Sequence, residues 1–197
     1  MASPAAFQLA TPPQSFPLPR MTALRRAKMS AVDTAWLRMD RPSNLMMITG
    51  VMVFFRPIRI ERVRRVIEGR FLSFPRFLQR PVQRSGMAFW ESARDFSIDH
   101  HVVCVSLPGR ATTKELQTLV SRLASQPLDP AKPWWQFHLV ENFEGGCALI
   151  ARIHHCYADG IALVRVVMSM TDARPNGPAA MPFHACLLYT SPSPRDS

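Results

Sequence analysis

The stretch His154-His155-Cys156-Tyr157-Ala158-Asp159-Gly160 places two imidazoles, a thiol, a carboxylate and a glycine in adjacent positions. An imidazole titrates near neutral pH, so it can accept a proton from a hydroxyl and return one to a leaving group. The same donor types could also ligate a metal. The preceding run, Ala148 to Ile153, is mainly apolar, and in a strand successive side chains point to opposite faces. Leu149, Ala151, Ile153 and His155 are therefore expected on one side, with Ile150, Arg152 and His154 on the other. At most one histidine then readily faces a given substrate. This opposition, with no second ligand pair in the chain, makes a zinc site a poor fit. On residue type alone, His155 would more often be an ordinary hydrogen-bonded polar residue. Cys156 reads as a small apolar filler, with a thiolate relay as the minor alternative.

These residues need elements to position them. Gly160 lacks a Cβ, which permits a sharp turn, and it opens an apolar run from Ile161 to Met168 of helical length. On the upstream side, the Glu144-Gly145-Gly146 turn joins the histidine-bearing strand to an alternating strand over Trp135–Val140 as a hairpin. Ser30, with Asp33 three residues on, predicts a capped helix to about Met39, broken by Pro42-Ser43-Asn44. Leu45 to Phe55 reads as a strand buried on both faces, closed by Arg56-Pro57. Ile60, Val63, Val66, Ile67 and Phe71 recur at helical spacing, predicting a helix to about Ser73 with Arg62, Arg64, Arg65 and Glu68 on its outer face. Such a basic face is usually plain solvation; its sharper reading is a docking surface for phosphates or lipid headgroups. Pro75 and Pro81 bracket residues 76–80. Met87–Trp90 and His101–Leu107 read as strands, with Pro108-Gly109 stopping the second. Leu116, Leu119, Val120 and Leu123 mark an amphipathic helix capped by Thr112 or Thr113. Mixed strands and helices predict an α/β sandwich. The doublet His100-His101 has no Asp-Gly after it and reads as structural.

The seven-residue stretch resembles the HHxxxDG signature of the CoA-dependent acyltransferase superfamily. The flanks resemble its wax ester synthase/diacylglycerol acyltransferase branch: Pro127-Leu128-Asp129-Pro130-Ala131-Lys132-Pro133-Trp134-Trp135, the Ser30–Leu37 opening, Phe74–Arg80 and Asp95–Val102, all in family order. The likeness spans roughly residues 29 to 170. It implies an α/β fold like chloramphenicol acetyltransferase, a mixed sheet flanked by helices, here as the N-terminal half of a two-domain acyltransferase. It further implies transfer of a long-chain acyl group from acyl-CoA, as co-substrate rather than bound cofactor, to diacylglycerol or a fatty alcohol. By resemblance the candidate catalytic set is His155, His154 and Asp159. His155 would be the general base and His154 structural, while Asp159 would form a salt bridge fixing the turn, with Arg152 or Arg165 as partner, and Gly160 would shape that turn. No GxSxG elbow supports an acyl-enzyme, so direct transfer in a ternary complex is expected. The alternatives are a condensation-type enzyme of the same superfamily and an inactive lipid-surface binding fragment.

A chain of 197 residues can bury one substantial core, and 47% hydrophobic residues exclude global disorder. No stretch of about 18 apolar residues is present to span a bilayer. The net charge of +10 is nearly all arginine, since the only lysines are Lys28, Lys114 and Lys132. Such a field attracts the phosphates of CoA and anionic lipid headgroups. No helix-turn-helix, zinc or RNP-like element supports nucleic acid as a partner. Four cysteines without CxxC spacing suit a reducing compartment. The expected location is the cytoplasm, peripheral to a membrane or lipid inclusions.

The acyltransferase domain is expected over residues 29–175. Residues 1–28 contain five prolines and no acid, and are expected to form no regular element, as a disordered or misassigned extension. Residues 176–185 read as a linker. Residues 186–197 resemble the translation of a sequencing-library adaptor, so the native sequence is expected to stop near Ala185, with a C-terminal domain missing and the fragment inactive alone.

Overall fold

The computed structural model describes residues 8–11, 26–158 and 160–172, side chains of Gln8, Gly160 and Asp172 excepted. The elements run β1 (Gln8–Leu9), β2 (Arg26–Lys28), α1 (Ala31–Met39), β3 (Met47–Phe54), α2 (Ile60–Val66), β4 (Gln79–Arg84), β5 (Met87–Ser92), α3 (Ile98–His101), β6 (Val102–Val105), α4 (Thr113–Ala124), β7 (Trp135–Phe143), β8 (Gly146–His154), α5 (Gly160–Ser169) and β9 (Thr171–Asp172). Helix α2 continues into a π turn, Ile67–Phe71, which lets Leu72 N–H reach the Ile67 carbonyl.

The central sheet has the order β3-β8-β7-β6, with β6 parallel to β7 and the other pairs antiparallel. A three-stranded sheet, β2-β5-β4, and the short β1-β9 pair lie beside it. All nine residues of β8 are buried. Its alternate side chains serve two cores, as a strand covered on both faces must. Leu149, Ala151 and Ile153 join Phe71, Phe77, Trp135 and Phe137, while Ala148 and Ile150 pack with Leu116, Leu119 and Leu123 of α4. Each large apolar side chain so buried contributes about 1.5–3 kcal/mol. The α/β layering expected from the sequence is therefore present, as a mixed sheet flanked by helices.

Local signals hold where they rest on caps and turns. Ser30 Oγ accepts the Asp33 N–H at 3.0 Å at the start of α1. Thr112 rather than Thr113 caps α4, its N–H donating to Glu115 Oε2 at 2.8 Å. The β7–β8 hairpin turns through Glu144 and Gly145, both at positive φ. Gly146 then passes so close to β3 that a Cβ would fall 2.0 Å from the Phe54 carbonyl oxygen.

Four expectations are corrected. β3 is not buried on both faces: it pairs only with β8 and forms the sheet edge among the described residues, leaving Val51 and Val53 42% and 48% exposed. His101 ends the single turn α3 instead of opening β6, because its Nδ1–H donates to the Trp135 carbonyl at 2.8 Å. Residues 79–84 form strand β4 with Pro81 inside it, which an edge strand tolerates because one row of its N–H groups faces no partner. The N-terminal extension does form regular structure at Gln8–Leu9 and Arg26–Lys28, each paired antiparallel; residues 1–7 and 12–25, the linker and the adaptor-like tail lie outside the described residues.

Two buried histidines make stability depend on pH. Burial lowers the pKa of His101 to about 4, and burial with the Arg152 and Arg122 charges lowers that of His138 to about 4. Both folded values lie below the unfolded value of 6.5. The unfolded chain thus binds protons that the fold refuses, so stability is full above pH 6.5 and declines as pH falls toward 4. The loss approaches roughly 3 kcal/mol per histidine below both values. Urea unfolding across this window should show the decline, with a shallower slope in His101→Phe and in His138→Leu; a flat profile would contradict it.

Candidate active site

Strand β8 ends at His154, and His155 opens a single 3-10 turn through Tyr157. The expected strand alternation therefore stops one residue early. The cause is local: His154 Nδ1 accepts the Cys156 N–H at 3.1 Å, drawing the chain out of the ladder. His155 N–H still donates to the Met46 carbonyl at 2.8 Å, one residue before β3 begins.

The two rings have different surroundings. His154 is buried, meets the Trp134 ring edge-on at 4.9 Å, and holds Nε2 3.4 Å from Asp40 Oδ1. At that length Nε2 makes no hydrogen bond of ordinary geometry, and the pair is a long polar contact. Since Nδ1 accepts a hydrogen bond, the network assigns the neutral ring's proton to Nε2, toward the carboxylate. Burial lowers the His154 pKa; the Asp40 charge opposes this, and neighbouring His155 adds to it. Asp40 is itself anchored at the end of α1, its Oδ1 accepting the Met46 N–H at 2.7 Å. Met46 thus ties both the carboxylate and the histidine turn to the head of β3.

His155 is half-buried and stacks on the Trp36 indole, with ring centroids 3.8 Å apart and planes at 19°. Its Nδ1 is buried with no hydrogen-bond partner. The ring is held at a partly open position with Nδ1 enclosed, so Nε2, which is not among the enclosed atoms, is the nitrogen suited to exchange a proton with an incoming hydroxyl.

The turn is braced from beneath. The Tyr157 hydroxyl donates to the Gln79 carbonyl at 2.6 Å and accepts the Trp134 N–H at 2.8 Å. Trp135 Nε1–H donates to the Phe77 carbonyl at 2.7 Å. The Pro127–Trp135 element and the Phe74–Arg80 segment therefore meet under the histidines. Cys156 is fully buried, and desolvation, with smaller contributions from Asp33 and Asp40, pushes its thiol pKa well up. A protonated, enclosed thiol gives no support to a thiolate relay.

Of the four predicted site residues, His154 and His155 stand side by side, Gly160 begins α5, and Asp159 lies outside the described residues. Arg152 is buried on the α4 side of β8, its guanidinium donating to the Gln126 carbonyl and to Gln136 Oε1. Arg165 is exposed on α5. Sequence reasoning missed Asp40 and Trp36 as partners of the two rings. A carboxylate at a helix end just before a Pro-Ser-Asn break was visible, but nothing linked it to His154. Trp36 carried no such signal. Among the described residues, no cluster of three or more His, Cys, Asp or Glu is placed to hold a metal.

Residues 29–188 match a family model described as the wax ester synthase/diacylglycerol acyltransferase catalytic domain. A Mycobacterium tuberculosis protein named as a diacylglycerol O-acyltransferase is 34% identical over 157 residues, covering 76% of this chain and 35% of its own length. The Acinetobacter baylyi O-acyltransferase WSD is 36% identical over 80 residues, 40% of this chain and 18% of its own. The chain thus spans about a third or less of the length of these relatives. Among solved structures, the wax ester synthase/diacylglycerol acyltransferase of Marinobacter aquaeolei VT8 superposes with a TM-score of 0.60 at 24% identity, covering 71% of this chain and 37% of that one. A starter condensation domain of rhizomide synthetase, in complex with C8-CoA, gives 0.57 at 17% identity, covering 73% and 34%. These likenesses establish a shared acyltransferase fold.

Two variants test the geometry. Asp40→Asn keeps an acceptor for Met46 but removes the charge facing His154, so the His154 pKa should fall further in an NMR titration; an unchanged value would mean the carboxylate does not act on the ring. Tyr157→Phe leaves the Gln79 carbonyl and Trp134 N–H unpaired and should cost about 1–3 kcal/mol in urea unfolding. A neutral result would show that the clamp is not what holds the turn.

Proposed function

This chain belongs to the wax ester synthase/diacylglycerol acyltransferase family, and we propose that its two histidines serve an O-acyltransferase that moves a long-chain acyl group from acyl-CoA to diacylglycerol or a long-chain alcohol. The observation that carries this reading is the His155 ring: the one of the two imidazoles that is only half-buried, fixed by stacking on Trp36. In this scheme His155 takes the proton of the acceptor hydroxyl as its oxygen attacks the thioester carbonyl. The tetrahedral adduct collapses, the C–S bond breaks, and the imidazolium returns the proton to the CoA thiolate. Acyl transfer is direct. His154, whose ring is occupied by Cys156 N–H and Asp40, holds the turn and does not touch substrate. Asp159 is assigned the fixing of the same turn.

The acceptor and acyl-chain sites are assigned mainly to the length that the relatives possess and this chain does not span, apposed to the His155 side as a second domain. On this reading the 197-residue chain is inactive alone and works, as part of a longer protein, peripherally at a membrane or lipid inclusion on the cytoplasmic side. No helix among the described residues is long and apolar enough to cross a membrane.

The test is an ester-formation assay with labelled acyl-CoA and either acceptor, run on the longer protein containing this sequence. His155→Ala should lower kcat by about 10²–10⁴-fold, the usual weight of a general base. Undiminished turnover in that variant would remove His155 from the role, and turnover by the 197-residue chain alone would refute the division of the site between two parts.

A further inference from the structure

The arginines that the sequence pattern singles out on α2 each make a contact within the chain, Arg62 and Arg65 while remaining exposed. Arg62 donates to the Leu9 carbonyl, Arg64 to Asp99 and the Val102 carbonyl, and Arg65 to the Glu61 carbonyl. A closer group of guanidiniums lies on the β2-β5-β4 sheet. The Glu91 side chain there is only 8% exposed and faces three guanidiniums. Arg26 Nη2 lies 3.0 Å from Oε2, Arg80 Nη2 3.0 Å from Oε1, and Arg84 Nη2 3.7 Å from Oε2. Register puts this in place, because Arg26 and Arg80 are both cross-strand partners of Glu91.

One carboxylate cannot neutralise three guanidiniums. The buried anchor holds Arg26 and Arg80 by hydrogen bonds and Arg84 by a looser ion pair, and leaves the three mutually repelled, an arrangement that a further anion relieves. They line an open pocket of about 880 Å³, joined by Arg94 and Lys132. Asp95 is the other acidic side chain of the lining, and Lys132 is paired at 3.6 Å with Asp129 outside it. Guanidinium forks match phosphate oxygens in pairs, and fixed forks lose little freedom on binding.

We propose that this pocket binds a phosphate-bearing anion with at least two adjacent negative charges, a site separate from the histidine turn and independent of the reading of His155. Two sources share that chemistry: a soluble diphosphate ester and an anionic headgroup on a lipid surface.

The probes are inorganic pyrophosphate, followed by calorimetry on the 197-residue chain at low salt, and vesicles of cardiolipin in phosphatidylcholine against phosphatidylcholine alone, followed by co-sedimentation. Pyrophosphate should bind, and binding should weaken in about 0.5 M salt. The double variant Arg94→Gln/Lys132→Gln leaves the Glu91 cluster intact and should weaken binding about tenfold or more. Arg84→Gln, at the exposed rim, should act in the same direction, with an unchanged melting temperature as the folding control. Binding of pyrophosphate without binding of either vesicle identifies a soluble ligand. Selective binding of cardiolipin vesicles, displaced by pyrophosphate, identifies a headgroup. No pyrophosphate binding at low salt, or binding of undiminished strength in all variants, overturns the proposal.

Discussion

The backbone of Met46 is the joint on which the histidine turn depends. Its carbonyl takes the His155 N–H and its N–H goes to Asp40, so one peptide position ties the end of α1, the head of β3 and the end of β8 together. A lone hydrogen bond is worth little net, about 0.5–1.5 kcal/mol. Its force here is geometric: the eight-residue β3–β8 ladder behind it leaves the joint no freedom to slide, because a one-residue slip would turn every β8 side chain to the wrong core.

From that joint follows the division of labour between the paired histidines. His154 is the last residue of a fully buried strand, so its ring must be satisfied inside the protein, and Cys156 N–H, Trp134 and the Asp40 charge surround it. His155 is the first residue outside the ladder. Its backbone is held, but its ring leans on Trp36, half-buried and with no hydrogen bond to Nδ1. The same tight turn sends Cys156 and Tyr157 downward, where the tyrosine hydroxyl joins two further chain segments. A chemically open residue thus rests on a closely braced base.

The charge distribution obeys a similar logic. Arginine stems reach far, and a guanidinium near backbone carbonyls or a carboxylate is drawn to them, as the α2 arginines and buried Arg152 are. Helical periodicity places those arginines on an outer face without saying what lies across from that face. The convergence on Glu91 depends on strands far apart in sequence, so no local pattern announces it.

Much was legible before any coordinates. The HHxxxDG stretch with its ordered flanks pointed to the acyltransferase family and its α/β fold, and caps at Ser30 and Thr112 and the Glu144-Gly145 turn located their elements, because each signal is chemistry between near neighbours. Where side chains depend on distant chain, local reasoning failed: β3 read as doubly buried but is an edge, Pro81 concealed β4, and His101 was drawn out of its strand by Trp135. Asp40 against His154, Trp36 against His155, and three guanidiniums on Glu91 exist only once the chain has closed on itself. Residue type and spacing determine which groups are present and which short elements carry them; long-range packing decides which of those groups meet.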